Sequence, residues 1–296
     1  MGRALPLLAE GVKAGAIPSE RCMKFSVIIP FANAEATLPT CLDSVVAAAD
    51  RLAAARPACG AEIICVNGGS RDRSAALVAA RAAHDGRLVA RAEAPREAGA
   101  GAARNRGMDL ATGDYLVFVD ADDTIAPEAL LSLADATADI VTFLPPQGTF
   151  DLTRPAGRRA TFSPLVGNLL AWNAAYRRAA VAGLRFPNLC NHEDLVWTCG
   201  MYARAKTLVG GVRPWYRYDA HVAGSAANSH SGRRVAAAWA ATSRMWRAVR
   251  PAFAGNGVRL RAVMLRKLAM HLVLHVLAEV PRALAARRGA RRGGRP

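Results

Sequence analysis

The sequence predicts an α/β protein in which a mostly parallel β-sheet is flanked by helices. Two observations support this fold class. Short apolar runs rich in β-branched residues alternate with amphipathic helical segments over about 120 residues, and each run ends in polar or turn residues. With 52% hydrophobic residues, the chain is also too apolar for a disordered polycation, although its formal charge is +16. We therefore expect a folded protein with a sizeable core.

The first two strands are predicted from continuous apolar runs. Residues 25–30 (FSVIIP) have the composition of a strand buried on both faces, closed by a proline. Asn33 follows as the predicted N-cap of a helix with apolar residues on one face. Residues 62–66 (EIICV) form the second predicted strand, which ends in 67–70 (NGGS), and Ser70 is the predicted cap of the next helix.

The same alternation continues to about residue 144. A short strand at 87–91 leads through a glycine-rich turn to a helix at 102–111. The strongest strand, 115–119 (YLVFV), runs into 120–123 (DADD). Pro127 then fits the first turn of a further helix, and 140–144 is the last strand of this series. Ligands of such sheets bind at the carboxyl ends of the strands, where these polar residues lie.

Several function classes are disfavoured by what the sequence lacks. Its six cysteines form no C-x-x-C pair, so we expect buried, reduced thiols and no zinc site or disulfide framework. No apolar stretch is long enough for a membrane span. P-loop and nucleophile-elbow motifs are missing, and residues 99–104 (GAGAAR) depart from the dinucleotide fingerprint. No nucleic-acid motif accompanies the positive charge, so we expect no nucleic-acid partner.

Asp120-Ala121-Asp122 places two carboxylates directly after a buried strand. Such hard oxygen ligands suit Mg²⁺ or Mn²⁺, which keeps its other positions for water and substrate phosphates. Acidic turns after strands also commonly cap the next helix, so this motif alone does not decide between the two interpretations. Its context in the chain favours the metal.

In that context the sequence resembles the family 2 glycosyltransferases. The resemblance covers about residues 24–225 and stops before the C-terminal segment. It rests on motifs in the family's order and at similar spacing: FSVIIPFAN (25–33), ICVNGGSRDRS (64–74), GAGAARNRGMDLATGDYLVFVDADD (99–123), WNAAYRR (172–178), NHEDLVW (191–197) and PWYRYDAHVAGS (214–225).

Membership would imply a GT-A fold with a Rossmann-like nucleotide-binding half, a nucleotide-diphosphate sugar donor, a divalent metal and inversion at the anomeric carbon. The preferred donor is a UDP-sugar and the expected acceptor is a glycan or a lipid-linked saccharide of surface polysaccharide synthesis. The positions that match the family's donor site are Pro30, Asn33, Asn67, Gly68, Arg104, Asp120, Ala121 and Asp122.

The acceptor side of the resemblance centres on Glu193 and Asp194, and Asp194 matches the general base. An inverting transfer needs a carboxylate that accepts the proton of the attacking hydroxyl. The same pair also suits the start of a helix, where the helix dipole favours acidic residues. The remaining candidates are Trp172 and Trp215 as sugar-stacking rings, Arg217 as a phosphate contact and His221 as a third metal ligand beside Asp120 and Asp122.

One departure from the family concerns the nucleotide base. The family shows two aspartates before Gly-Ser, whereas this chain has Asn67-Gly68, and the second aspartate typically accepts a hydrogen bond from uracil. Three alternatives follow: the donor is not a uridine nucleotide, the base is held by backbone groups, or the site is impaired.

The charge distribution suggests the domain organisation. Residues 1–150 carry net −4 and residues 151–296 net +20, with 15 basic residues and one acidic residue in 233–296. We predict an extension at 1–22, a nucleotide-sugar-binding half at 23–145, an acceptor-binding half at 146–232, and a basic helical extension with a disordered tail at 233–296. A basic amphipathic segment binds anionic membranes, so we expect a cytoplasmic, peripheral membrane enzyme.

Two other hypotheses remain open at this stage. A non-catalytic relative would bind a nucleotide or glycan without transfer. A nucleotidyltransferase on a related α/β fold would share the metal carboxylates but would not require Glu193-Asp194.

Overall fold

A computed structural model describes residues 23–93, 99–144, 147–154, 156–158, 160–161, 170–188, 193–212, 215–218 and 247. The strands are β1 Lys24–Phe31, β2 Gly60–Asn67, β3 Leu88–Glu93, β4 Tyr115–Phe118, β5 Thr124–Ile125, β6 Ile140–Thr142, β7 Gly148–Asp151, β8 Ala174–Arg177, β9 Thr207–Gly210 and β10 Tyr216–Arg217. The helices are α1 Leu38–Ala55, α2 Ser74–Ala82, α3 Gly99–Leu110, α4 Ala129–Ser132 and α5 Glu193–Arg204, with a 3₁₀ turn at Ala171–Asn173.

One eight-stranded sheet organises the molecule, in the order β3-β2-β1-β4-β8-β6-β9-β7. The strands β3, β2, β1 and β4 are parallel, as are β6 and β9, whereas β8 and β7 run antiparallel to their neighbours. The predicted α/β class with a mostly parallel sheet and flanking helices is therefore confirmed. A second, two-stranded sheet pairs β5 with β10.

The two faces of the sheet bury two apolar clusters. Because side chains alternate along a strand, Val27 and Ile29 point to one face and Ile28 to the other. The first face packs on α1 and α4, and the second on α3 and α5. In β1, every residue after Lys24 is buried, as the continuous apolar run predicted. The core thus holds β1, β2 and β4 rigidly, and their carboxyl ends share one edge.

Three local predictions are wrong. Asn33 does not cap α1, since Thr37 holds that position, and Asn33 instead adopts a left-handed φ of 52°. Ser70 does not cap α2, which begins four residues later at Ser74. The predicted glycine-rich turn is the start of α3, where Gly99 has a φ of 71°.

Other predictions fall partly outside the described residues. The described cysteines Cys41, Cys59, Cys65 and Cys199 are free and buried, as expected, whereas Cys22 and Cys190 lie outside the described part. The same holds for the segments 1–22 and 219–246 and for the tail after Arg247. None of the helices in the described part combines the length and apolar character needed to cross a bilayer.

Candidate active site

The predicted donor residues meet at the carboxyl ends of β1, β2 and β4. Pro30 is buried near the end of β1 and pairs in register with Val66, while Asn67 ends β2 beside Phe31. Asp120 follows β4 after one residue. The parallel register brings these three chain ends to one edge, as the sequence indicated.

A single buried guanidinium joins this edge to the start of α5. Arg104 of α3 donates from Nη2 to Asp120 Oδ1 and from Nη1 to Glu193 Oε1, at 2.7 Å each. The residue is only 4% exposed. Burial lowers the pKa of this guanidinium, but the carboxylates of Asp120, Glu193 and Asp194 outweigh burial and raise the pKa above its usual range. Arg104 therefore stays charged between two carboxylates that lie 73 residues apart in the chain.

The two acidic residues of α5 differ in environment. Both occupy the first turn of α5, which fits the helix-dipole interpretation as well as the catalytic one. The Glu193 side chain is 11% exposed and bound to Arg104. Asp194 is more accessible and lies close enough to interact electrostatically with Arg104. Of the pair, Asp194 is thus the more exposed residue.

A cluster of aromatic side chains packs against the Arg104 guanidinium. The guanidinium carbon lies 5.5 Å from the centroid of the Phe186 ring, which stacks on Trp197 at 4.6 Å. Trp197 in turn meets the edges of Phe118 and Tyr176. Through these ring contacts, α3, β4, β8 and α5 pack around the buried guanidinium of Arg104.

Tyr216 links the loop after β4 to the aromatic residues of the second half. Its hydroxyl donates to Asp123 Oδ2 at 2.6 Å and accepts the Asp120 N–H at 3.1 Å. Burial and the carboxylates of Asp120 and Asp123 raise the pKa of this hydroxyl well above its usual range, so it remains a donor. The Tyr216 ring stacks on Trp172 at 4.4 Å, and the exposed Tyr218 stacks on the same indole at 5.9 Å.

The acceptor candidates occupy different environments. Trp172 is half-buried within this stack, whereas Trp215 is only 2% exposed and packs edge-on against Phe143 in the core. Trp215 thus packs in the core next to this stack, and its ring is too buried to contact a sugar. Arg217 is exposed on β10, and His221 lies outside the described residues. Sequence reasoning missed Tyr216 and Tyr218, although an i, i+2 spacing in an extended segment places both rings on one face.

Two loops carry residues that the sequence predicts to lie beside the nucleotide. Asn67 Oδ1 accepts the N–H groups of Gly69 and Ser70, at 3.1 and 2.8 Å, so its carbonyl oxygen is used within the turn. The Gly68 N–H donates to the Phe31 carbonyl at 2.7 Å. Asn33 Oδ1 accepts the Arg71 N–H, and its own N–H donates to Ser70 Oγ. The β1–α1 and β2–α2 loops are thereby held together mainly through backbone donors.

Carboxylate donors for a hard metal ion are present beside these loops. Ala121 is buried, and Asp122 is partly accessible in the turn after Asp120. In the part of the chain that the structure describes, no three His, Cys, Asp or Glu side chains cluster as metal ligands. The Asp120–Asp122 pair thus fits the way Mg²⁺ binds proteins, through one or two carboxylates and otherwise through phosphates and water.

The fold is of the GT-A type, and comparison with known proteins identifies the family. Residues 26–186, more than half of the chain, match glycosyl transferase family 2. The chain therefore belongs to that family, as the motifs predicted. The match ends before Glu193, so the α5 carboxylates lie just beyond it.

Individual relatives agree with the family and the fold. The uncharacterized glycosyltransferase YibD of Escherichia coli is 30% identical over 67% of this chain, which spans 62% of that protein. TarS 1–349 of S. aureus, crystallised with UDP-GlcNAc, shows 20% identity and a TM-score of 0.59 over 76% of this chain and 67% of that TarS chain. The mannosyltransferase PcManGT of Pyrobaculum calidifontis, with GDP-Man and Mn²⁺, has 20% identity and a TM-score of 0.54. The similarity covers 95% of this chain and 79% of that chain.

Proposed function

We propose that the protein transfers a sugar from a nucleotide-diphosphate donor to a hydroxyl of a glycan or lipid-linked acceptor, with inversion at the anomeric carbon. The observation that carries this proposal is the contact of Arg104 with both Asp120 and Glu193. It brings the donor motif and the acidic pair of α5 within the span of one side chain. Two proteins of similar fold hold nucleotide sugars, UDP-GlcNAc in one and GDP-Man in the other.

In the proposed reaction Asp194 accepts the proton of the acceptor hydroxyl while that oxygen attacks the anomeric carbon. The new carbon–oxygen bond forms as the bond between that carbon and the nucleoside diphosphate breaks, and the electron pair leaves with the diphosphate. Asp122, with Asp120, would hold Mg²⁺ or Mn²⁺, which supplies Lewis-acid stabilisation of the charge on the diphosphate. Asp120 Oδ1 also binds Arg104, which fixes the position of this proposed ligand.

The acceptor region is proposed on the exposed side of the aromatic stack formed by Trp172, Tyr216 and Tyr218. Stacked rings of this kind present apolar faces to sugar rings, and Tyr218 is 52% exposed. Arg217, on the same strand, would contact an acceptor phosphate. We retain His221 as a proposed metal or diphosphate contact, since it follows this strand in sequence.

The first test measures release of nucleoside diphosphate from a panel of nucleotide sugars with Mn²⁺ and candidate acceptors. Replacing Asp194→Asn removes the proposed base, so we expect transfer to fall by about 10²- to 10⁴-fold while donor binding persists. Asp109→Asn is the matched control, because Asp109 also lies in a helix but pairs with Arg185 at the surface. Undiminished transfer in Asp194→Asn would refute the base assignment. Donor binding by the wild-type protein without any transfer would favour the non-catalytic alternative.

A further inference from the structure

Arg104 forms a bridge between two parts of the proposed site that come from distant segments. One nitrogen holds Asp120 in the loop after β4, and the other holds Glu193 in the first turn of α5. If both nitrogens bound a single carboxylate, the loop after β4 and the start of α5 would stay independent. Because each nitrogen binds a different carboxylate, Arg104 links these two segments. The planar guanidinium also fixes the directions of both hydrogen bonds.

The surroundings of the bridge leave little freedom for rearrangement. A Cβ built on Gly101 would lie 2.8 Å from Glu193 Cγ and 3.2 Å from Phe186 Cβ. Glu193 therefore packs directly against the α3 backbone, and only a glycine at position 101 allows this approach. On the other side, Tyr216 holds the Asp120 N–H. Both ends of the bridge are thus fixed by contacts of their own.

From this geometry we propose that Arg104 is a positioning residue that sets the place of Asp194 relative to the donor motif by binding Glu193 and Asp120 together. The inference rests on the proposed function, because it concerns the alignment of that reaction. Glu193 then has no proton-transfer role: its carboxylate anchors α5, and its neighbour Asp194 faces the acceptor. A misplacement of about 1 Å between reacting groups is enough to lower a rate by about 10²-fold.

A double-mutant cycle of Arg104→Met and Glu193→Ala tests the bridge. For each single variant we expect kcat to fall by about 10²-fold. For Glu193→Ala we also expect the donor KM to stay within about threefold, because Asp120 and the nucleotide loops are untouched. The double variant should be no more than severalfold worse than either single one, since both remove the same link. Independent losses that multiply to about 10⁴-fold would overturn the proposal.

The measurements on these variants must distinguish a role of Arg104 in positioning Asp194 from a role in stability alone. All rates are therefore measured well below the lowest melting temperature of the set. A structural role alone would lower the melting temperatures and leave kcat of the folded variants unchanged, and this outcome would also overturn the proposal. Arg104→Lys should give an intermediate kcat, about tenfold below wild type, because an ammonium reaches one carboxylate at a time.

A second variant approaches the same contact without removing the charge. In Gly101→Ala the new Cβ should push Glu193 away from α3, so we expect kcat to fall about tenfold with unchanged donor affinity. This variant also tests the bridge if Arg104→Met does not fold. Gly86→Ala is its control, because a Cβ there meets nothing within 4 Å. An unaltered kcat in a folded Gly101→Ala variant would contradict the bridge. If the wild-type protein proves inactive with every donor, the proposed function fails. The positioning role then fails with it, and the cycle in melting temperatures tests only the physical link: coupled shifts would show that Arg104 joins Glu193 to Asp120, and additive shifts would show that it does not.

Discussion

At the scale of single residues, the proposed recognition of a nucleotide base depends on Asn67 and Gly68. The side-chain oxygen of Asn67 accepts hydrogen bonds from the N–H groups of Gly69 and Ser70, and Gly68 has no side chain. The N–H groups of Gly68, Gly69 and Ser70 are all bonded within the protein, so of the three alternatives raised by the sequence we propose recognition through backbone carbonyl oxygens.

Gly68→Asp is the direct test of this interpretation. A Cβ at Gly68 would lie 3.4 Å from Ala32 Cβ and from the Phe31 carbonyl, so the substitution meets no severe clash. If the donor is a uridine nucleotide, a new hydrogen bond to a charged acceptor of about 1.5–3 kcal/mol should strengthen UDP binding roughly tenfold or more. Calorimetry with UDP, GDP, ADP and CDP in Mn²⁺ measures the effect.

The control for that prediction is Gly86→Asp, which adds the same charge where nothing lies within 4 Å of the new Cβ. An increase that is equal for all four nucleotides would indicate a general electrostatic effect and contradict base recognition at position 68. A loss of UDP affinity with a gain for another base would identify a different donor.

At the scale of elements, Glu62 ties together three segments at the edge opposite the proposed site. Its Oε1 accepts hydrogen bonds from Ser26 Oγ and the Thr112 N–H at 2.6 and 2.7 Å, and Lys24 Nζ lies 2.8 Å from Oε2. Burial raises the pKa of Glu62, but the hydrogen bonds from Lys24, Ser26 and Thr112 outweigh burial and lower the pKa from 4.5 to about 2. This carboxylate therefore stabilises β1, β2 and the loop before β4 only while ionised.

We predict that Glu62→Gln lowers the free energy of unfolding by about 2 kcal/mol at pH 7, since hydrogen bonds to a charged acceptor are lost. The sign of the pH dependence follows from the lowered pKa. The contribution of Glu62 is complete above about pH 4.5 and disappears as the pH falls toward about 2. Urea unfolding of both proteins between pH 7 and pH 3 should show the two stabilities converging at acid pH. A constant difference across that range would contradict the role of the charge.

The same scale shows what the sequence predicts and what it does not. Apolar runs identified β1, β2 and β4 closely, because continuous burial leaves a strong local signal. Asn33 and Ser70 were misplaced as caps, because their partners are on the neighbouring loop and not in their own helices. Arg104 was recognised only as a residue near the donor. Its link to Glu193 spans 89 positions, which no periodicity in the sequence encodes.

At the scale of the whole molecule, the two halves of the chain build one sheet but carry opposite charge. Strands β7, β8 and β9, from the predicted acceptor-binding half, share the sheet with the strands of the donor edge. Arg104 pairs with two of the acidic residues at that edge, Asp120 and Glu193, whereas residues 233–296 carry net +14 and lie almost wholly outside the described part. We propose that this basic segment attaches the enzyme to an anionic membrane that carries a lipid-linked acceptor.

Liposome flotation tests the membrane proposal on the full chain. Vesicles with anionic lipid should recover the wild-type protein at low salt and lose it as salt screens the attraction. Because each basic residue near such a surface contributes about 1 kcal/mol, replacing Arg287, Arg288, Arg291 and Arg292 by Gln should weaken binding by at least tenfold. The matched control replaces four arginines of the described surface: Arg51, Arg71, Arg106 and Arg154. Equal loss in both variants would mean that net charge alone drives the attraction, and binding that persists on neutral vesicles would exclude an electrostatic origin.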